Sequence, residues 1–338
     1  NLTRMAEFAK KHGMRWRPHA KLHKSAALAR LQIQAGAVGA CVQKTAEAEL
    51  LAAGGVRNLY ISNEVIAPAK LERVAALAQM LRGAGGRLAI AVDSLQGVQR
   101  LAGAMTRLAD AGTSIDVFVE IDVGQGRCGV APGAPAVALA QEIDQHPALV
   151  FAGLQAYHGN AQHLRTARER REAIAHVVAA VILTREQIEA HGIPVALVTG
   201  AGTGTFALEA ASGIYGELQP GSFLFMDADY AQNERDPAQP QFEHALFVKT
   251  DVISTSAGHV VCDAGHKSHA IDSGLPLVHV LPGGDRLTYA NGGDEHGIIY
   301  AATPGGRLPV LGETLWLIPG HCDPTVNLHD CMIGVRGG

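Results

Sequence analysis

The sequence is poor in aromatic residues, which make up 5% of its 338 positions, and charged residues of both signs together reach only 18%. A basic excess is also missing: the formal net charge is −4, and the 28 lysines and arginines are scattered rather than clustered. That distribution offers no electrostatic footprint for nucleic acid or an anionic membrane, which leaves a small molecule as the expected partner. No apolar run approaches the roughly 20 residues that span a bilayer, and the first residues lack a signal-peptide core, so the cytoplasm is the expected compartment. Cysteine is scarce and odd in number: Cys41, Cys128, Cys262, Cys322 and Cys331 have no framework spacing, which argues for reduced and mostly buried thiols. What is abundant is apolar: 47% hydrophobic residues suit one large α/β domain with a smaller companion.

The first 13 residues read as a helix already under way, with no capping residue or preceding strand, so native residues are expected upstream. From there to about residue 227, short β-rich runs alternate with longer Ala/Leu/Glu-rich segments of helical period. The expected strands are 14–20, 37–42, 58–63, 87–93, 115–121, 151–157, 195–199 and 222–226. Eight such units fit a (β/α)8 barrel or a doubly wound sheet. Each expected strand ends in polar or glycine-rich residues, which favours the barrel, whose chemistry sits at those carboxyl ends. After Asp227 an acidic, Pro/Gln-rich stretch at 233–241 resembles a linker, and 242–335 is rich in β-branched residues and glycine turns without convincing helices. The expected division is therefore a barrel over 1–232 and an all-β domain over 233–338.

The densest polar cluster, Arg17-Pro18-His19-Ala20-Lys21-Leu22-His23-Lys24, closes the first expected strand in a chain with eight lysines. A lysine there forms an imine with an aldehyde cofactor if neighbouring charge from Arg17, His19 and Lys24 favours its neutral form; otherwise the segment is a solvated basic loop. The run Thr199-Gly200-Ala201-Gly202-Thr203-Gly204-Thr205 follows the seventh strand and leads toward a helix at Phe206. Glycines there let backbone amides reach a phosphate, although an ordinary flexible loop has the same composition. Gly124-Gln125-Gly126-Arg127-Cys128-Gly129 matches G-x-G-x-x-G formally, but after the fifth strand of a series it is poor support for a nicotinamide cofactor. Its glycines instead bend the chain so that Arg127 faces either the barrel mouth or a surface ion pair.

Two histidine-bearing segments add candidates. Tyr157 to His163 offers an aromatic ring, two imidazoles and amides after the sixth strand, where histidine is the usual general base. In His321-Cys322-Asp323-Pro324-Thr325, an extended backbone turns His321 and Asp323 to one face and Cys322 to the other. Imidazole plus carboxylate suits Mn²⁺, Zn²⁺ or a similar ion with open positions, although H-x-D is also common without a metal. Asp294-Glu295-His296-Gly297 reads as a further contributor or as a charged hairpin turn.

Together, Pro18-His19-Ala20-Lys21, the 199–205 loop and Gly320-His321-Cys322-Asp323-Pro324-Thr325 resemble the D-threonine aldolase and D-serine dehydratase family over nearly the whole chain. The resemblance implies a pyridoxal-phosphate (PLP) barrel of alanine-racemase type joined to a β domain that supplies a divalent metal, assembled as a homodimer. It implies that Lys21 holds PLP, that Arg127 faces the phenolic oxygen, and that Gln43 and Tyr157 line the ring. Phosphate would sit on Thr199, Gly200, Gly202, Thr203, Gly204 and Gly221, with Tyr230 reaching in. His321 and Asp323 match the metal ligands, and His163 matches a histidine assisting at the substrate hydroxyl. Relatives resembling D-serine dehydratase have cysteine at the second metal position, so aspartate favours a lyase that cleaves D-threonine and related D-β-hydroxy-α-amino acids. The hard carboxylate suits Mn²⁺ first, with Mg²⁺ or Zn²⁺ as alternatives. Dehydration of D-serine or 3-hydroxy-D-aspartate, and cleavage of 3-hydroxy-D-aspartate, stay open on the same scaffold. A non-catalytic PLP-binding protein is disfavoured by the second domain. One departure stands out: alanine racemases carry arginine opposite the pyridine nitrogen, where this chain has Gln219 before Pro220-Gly221.

Overall fold

The computed structural model describes residues 1–110, 112–281 and 283–336. The chain forms two compact units, one of Leu2–Gly221 with Glu234–Pro240, the other of Asn1, Ser222–Asn233 and the chain from Gln241 onward. The first unit holds eight parallel strands: β1 (Arg15–Trp16), β2 (Ala40–Val42), β3 (Asn58–Ile61), β4 (Arg87–Val92), β5 (Ile115–Glu120), β6 (Leu149–Ala156), β7 (Leu197–Gly200) and β8 (Glu217–Leu218). Their spatial order is β1-β8-β7-β6-β5-β4-β3-β2. The two ends meet, because Val38 N donates to Trp16 O at 3.0 Å and Cys41 N to Pro18 O at 2.9 Å, with a parallel bridge between His19 and Cys41. The sheet therefore curls into the expected barrel.

Around it run α1 (Leu2–Lys11), α2 (Ala26–Gln34), α3 (Thr45–Ala53), α4 (Pro68–Gly83), α5 (Leu95–Leu108), α6 (Ala134–Asp144), α7 (Ala167–Ala190) and α8 (Phe206–Ala211). Local chemistry sets their starts. Ser25 and Ser94 accept from Leu28 N and Gly97 N, and Thr166 forms a capping box with Glu169. Each such cap is worth about 1 kcal/mol. Strand alternation separates two cores. Leu59, Ile61, Leu88, Ile90, Val117 and Val119 belong to the large helix-packed cluster, whereas Tyr60, Ala89, Ala91 and Phe118 form a smaller one with Cys41. Residues in phase with the smaller cluster, such as Glu120 and Gln155, bring polar groups inside.

The eighth strand differs from expectation: it is Glu217–Leu218, and Ser222–Leu224 is a 3-10 turn. Glu217 carries no strand signal, yet it is buried by ion pairs with Arg15 on β1 and with Arg17 just after it, while backbone pairing runs only as far as Pro220, whose carbonyl accepts from His19 N, before the apolar run begins.

The second unit is a six-stranded antiparallel sheet of β9 (Val248–Thr255), β10 (Val260–Cys262), β11 (Leu277–Val278), β12 (Leu287–Asn291), β13 (Gly297–Ala301) and β14 (Thr314–Ile318), ordered β11-β14-β9-β10-β13-β12. Val248, Val252, Val260, Ile299, Leu315 and Leu317 fill its core. One short helix, α9 (Cys322–Val326), follows β14 where extended chain was expected. Among the described residues no helix is long and apolar enough to cross a membrane.

Candidate active-site residues

In the barrel unit, Lys21 lies in a 3-10 turn, Ala20–Leu22, directly after β1. Ser25 N donates to His23 Nδ1 at 3.0 Å, linking the turn to the start of α2. The charges expected to act on Lys21 are redistributed. Arg17 Nε donates to Glu217 Oε1 at 3.0 Å, and Lys24 Nζ is 3.8 Å from Glu47 Oε1. Burial, reinforced by the charges of Lys21, Arg127 and His23, holds His19 well below the usual histidine range, so it is neutral. The same interactions put Lys21 and Arg127, from the ends of β1 and β5, within electrostatic reach of one imidazole. His19 Nε2 meets Gln43 Nε2 at 3.0 Å and Ser62 Oγ at 3.2 Å, which leaves Nδ1 as the ring's N–H. Nδ1 is buried and has no hydrogen-bond partner. An unmet donor of this kind, at a mouth lined by Lys21, Gln43 and Arg127, fits a polar cofactor.

The glycine-rich turn after β5 excludes a dinucleotide role. The amides of Gly124, Gln125 and Gly126 all donate to Asp122 Oδ1, at 3.0, 3.0 and 3.1 Å. These bonds, the Gly126 amide first, hold the Asp122 carboxyl below its usual range. Backbone donors spent on a carboxylate cannot cradle a pyrophosphate. The turn carries Arg127 to a position 5.8 Å above the Tyr157 ring, so two residues expected around one cofactor do meet.

The 199–205 loop is built by its neighbours. A Cβ on Gly202 would fall 2.5 Å from Gln162 Oε1, and one on Gly204 would fall 2.6 Å from Gln162 O. Gln162 clamps the loop through Gly204 N at 2.9 Å and Thr205 Oγ1 at 2.8 Å. Ala201 takes a left-handed φ of 70° there. The Thr199 hydroxyl donates to Glu217 Oε1 at 3.1 Å and accepts from Gln219 Nε2 at 2.7 Å, so it faces the barrel interior. Gln219 Nε2 also donates to Gln155 Oε1, as does Tyr60 OH, both at 2.9 Å. A polar chain thus crosses the interior from β1 through β8, β7 and β6 to β3. Gly221 packs on His19, where a Cβ would lie 3.1 Å from the His19 Cβ. His163 is exposed at the end of a 3-10 turn, Asn160–His163.

In the second unit His321 caps α9 with extended dihedrals, and Asp323 lies in the helix's first turn. The two still converge, with His321 Nε2 3.9 Å from Asp323 Oδ2. Two donors each about 2.1 Å from one ion are at most about 4.2 Å apart, so the pair fits a divalent cation. Cys322 is fully buried; its N donates to Asp227 Oδ2 at 3.2 Å and its Sγ to Met226 O at 3.4 Å. Tyr230 belongs to this unit, and its N donates to Asp227 Oδ1 at 3.0 Å. The 294–297 segment is the charged turn between β12 and β13: Lys267 Nζ is 2.9 Å from Glu295 Oε1, and His266 Nε2 is 2.9 Å from Asp294 Oδ1.

Several polar residues have roles that no sequence motif assigns. Glu64, Asp93 and Glu120 stand at the carboxyl ends of β3, β4 and β5, where the barrel rule alone flags them. Burial, then the Glu64 carboxylate, pushes Glu120 up to about 8, so it carries a proton near neutral pH. Gln162 lies in the 157–163 segment already singled out, but its clamping role and the role of Asp272 carry no local signal, since their partners lie far along the chain.

A closed parallel barrel with a lysine turn after its first strand, plus an antiparallel unit bearing a histidine–aspartate pair, defines a class: the alanine-racemase-like barrel with an appended β domain. The chain belongs to the family described as "Alanine racemase, N-terminal domain", which matches residues 1–229, and residues 245–335 match the "Putative serine dehydratase domain". It is 44% identical over 339 residues to a D-threonine aldolase from Arthrobacter sp, covering 100% of this chain and 86% of that protein. With a 3-hydroxy-D-aspartate aldolase from Paracoccus denitrificans (strain Pd 1222) it shares 41% over 345 residues, again 100% of this chain and 86% of the relative. The crystal structure of a D-threonine aldolase from Filomicrobium marinum matches with a TM-score of 0.92 and 46% identity, over 99% of this chain and 87% of that one.

Proposed function

We propose that this chain is a PLP- and divalent-metal-dependent lyase that cleaves D-threonine and related D-β-hydroxy-α-amino acids to glycine and an aldehyde. The observation that carries the reading is the His321–Asp323 pair, 3.9 Å apart with the intervening thiol turned into protein, so that an imidazole and a hard carboxylate are offered to a cation. PLP, when bound, supplies an electron sink for cleavage of a bond at Cα. Lys21 would hold it through its amine, with Arg127 at the phenolic oxygen and Gln43 and Tyr157 along the ring. Gly200, Gly202, Thr203 and Gly204, with the Thr199 backbone, Gly221 and Tyr230, would receive the phosphate. Gln219 would face the ring nitrogen.

His321 and Asp323 would hold Mn²⁺, or else Mg²⁺ or Zn²⁺, as a Lewis acid for the substrate's β-hydroxyl. His163 would take the hydroxyl proton; its exposed position lets that proton pass to water. We further propose a cytoplasmic homodimer. All five cysteines are free, and exposed Leu281, Leu311, Ile333 and Val335 accompany a cavity of about 1310 Å³ in the second unit that Leu281, Ile333 and Val335 line.

The test is product analysis of the purified protein with PLP and Mn²⁺ on D-threonine, L-threonine and D-serine. Glycine plus aldehyde from D-threonine is the expected result. Ammonia plus a 2-oxo acid would replace this reading with a dehydratase, and undiminished cleavage in EDTA would remove the metal from it.

A further inference from the structure

We infer that Asp272 is the positioning residue of the metal pair: its carboxylate fixes the ring and the tautomer of His321, so that Nε2 is the nitrogen offered to the cation. The inference rests on the metal reading above.

The geometry comes from two segments 49 residues apart. Asp272 Oδ2 lies 2.7 Å from His321 Nδ1, and Ser273 Oγ is 3.4 Å from the same nitrogen and 3.2 Å from Oδ2. A carboxylate can only accept, so in the neutral ring that a metal ligand requires Nδ1 carries the proton and Nε2 keeps its lone pair. That lone-pair nitrogen is the one 3.9 Å from Asp323 Oδ2. In the opposite tautomer a hydrogen would occupy the metal's place.

The backbone, rather than the hydrogen bond alone, sets Asp272 in register. Just before it, His269 is fully buried, with Nε2 3.0 Å from Tyr289 OH, which donates to Ala264 O at 2.8 Å. Ala270 N donates to Thr325 Oγ1 at 3.1 Å, and Thr325 Oγ1 donates back to His321 O at 2.6 Å. Just after it, Gly320 lies so close to Gly274 that a Cβ would fall 2.2 Å from Gly274 O. The 270–274 loop and the 320–325 segment are therefore joined on both sides of the Asp272–His321 contact. The imidazole cannot rotate away without breaking a bond that a fixed loop supplies.

Partners in this outer position typically govern 10–100-fold in metal affinity. The Asp272 side chain is 53% exposed, which places the expected effect toward the lower end. The test is calorimetric titration of Mn²⁺ into PLP-loaded, EDTA-stripped enzyme. Asp272→Ala should weaken binding about tenfold or more. Asp272→Asn, whose amide oxygen still accepts from Nδ1, should recover part of that loss. The PLP absorbance and the metal-free melting temperature should match wild type in both variants.

Mn²⁺ affinity unchanged in Asp272→Ala overturns the inference while leaving the metal pair intact. A loss as complete as in His321→Ala also overturns it, because Asp272 would then be a ligand itself. Should wild type and His321→Ala bind Mn²⁺ alike, the fault lies in the underlying metal reading.

Discussion

Substituting Glu217 by leucine puts the barrel's closure and its interior chain to the test together. Glu217 has a side-chain exposure of 1%, and Arg17 has 8%. Its carboxylate accepts from Arg17 Nε and Nη2 at 3.0 and 3.3 Å and from Thr199 Oγ1 at 3.1 Å, and it lies 3.1 Å from Arg15 Nη2. Burial works against the Arg17 charge, yet Glu217 outweighs it and the guanidinium sits above its usual range. Removing one partner of such a pair costs about 3–5 kcal/mol, because the other charge stays buried. Arg17 keeps Asn58 Oδ1 at 2.8 Å, so about 3 kcal/mol is expected. At about 2–4 °C per kcal/mol for a unit of this size, the melting temperature should fall by roughly 6–12 °C. Calorimetry at one scan rate and one PLP concentration measures it. The informative companion is the double variant Arg17→Met/Glu217→Leu, which removes both charges and should lie within about 1 kcal/mol of wild type. If the double variant is as unstable as the two single losses added together, desolvated charge is not what Glu217 neutralises and the reasoning fails.

Three other outcomes are expected. With its carboxyl raised from 4.5 to about 8, folded Glu120 holds a proton that the unfolded chain releases, so stability should fall as pH rises through that window. Glu120→Gln should flatten the decline by up to about 5 kcal/mol, and parallel pH–melting curves for variant and wild type would contradict the raised Glu120 carboxyl. Gly202→Ala places a Cβ 2.5 Å from Gln162 Oε1, so PLP retention on dialysis should weaken about tenfold, near 1.4 kcal/mol; unaltered retention would separate this loop from the phosphate. Lys21→Ala should abolish the visible absorbance of the PLP-loaded protein, and persistence of that band would move the imine to another amine.

The parts of the fold visible in the sequence are those whose signal is local. Strands β3, β4 and β5 each alternate or run apolar over consecutive residues, and their expected bounds match within a residue or two. Strand β8 was displaced because its signal is not local. Glu217 is made into a strand residue by Arg17, 200 residues earlier, while the apolar run after Pro220 has the composition of a strand but folds into a 3-10 turn. The site divides in the same way. Lys21, Arg127, His321 and Asp323 stand out in short motifs, but Gln162, Glu217 and Asp272 hold those motifs from elsewhere in the chain. Even the convergence of His321 and Asp323 arises differently from the expected extended face: a cap residue and the first turn of α9 bring the pair together.

Backbone strain follows the candidate chemistry in a way that residue identity conceals. Among the described residues, the non-glycine positions with left-handed φ are Lys24 at 48°, Ala201 at 70° and Met226 at 51°. Such a residue costs about 1–2 kcal/mol, and neither lysine, alanine nor methionine advertises a turn. Lys24 ends the lysine turn, Ala201 sits inside the glycine-rich loop, and Met226 precedes the Asp227 carboxylate that holds Cys322 N. Each is kept there by contacts that also place site groups: Lys24 N donates to Ala20 O at 2.7 Å, Met226 N to Ser222 O at 2.7 Å, and Gln162 clamps the loop around Ala201. Strained residues persist only where their surroundings over-determine them. Lys24 and Ala201 fall in the two loops whose residue types point to chemistry, and Met226 beside the carboxylate that holds Cys322 N, so the strain is a consequence of fixing those segments, and the residues that fix them matter to the site as much as the groups that react.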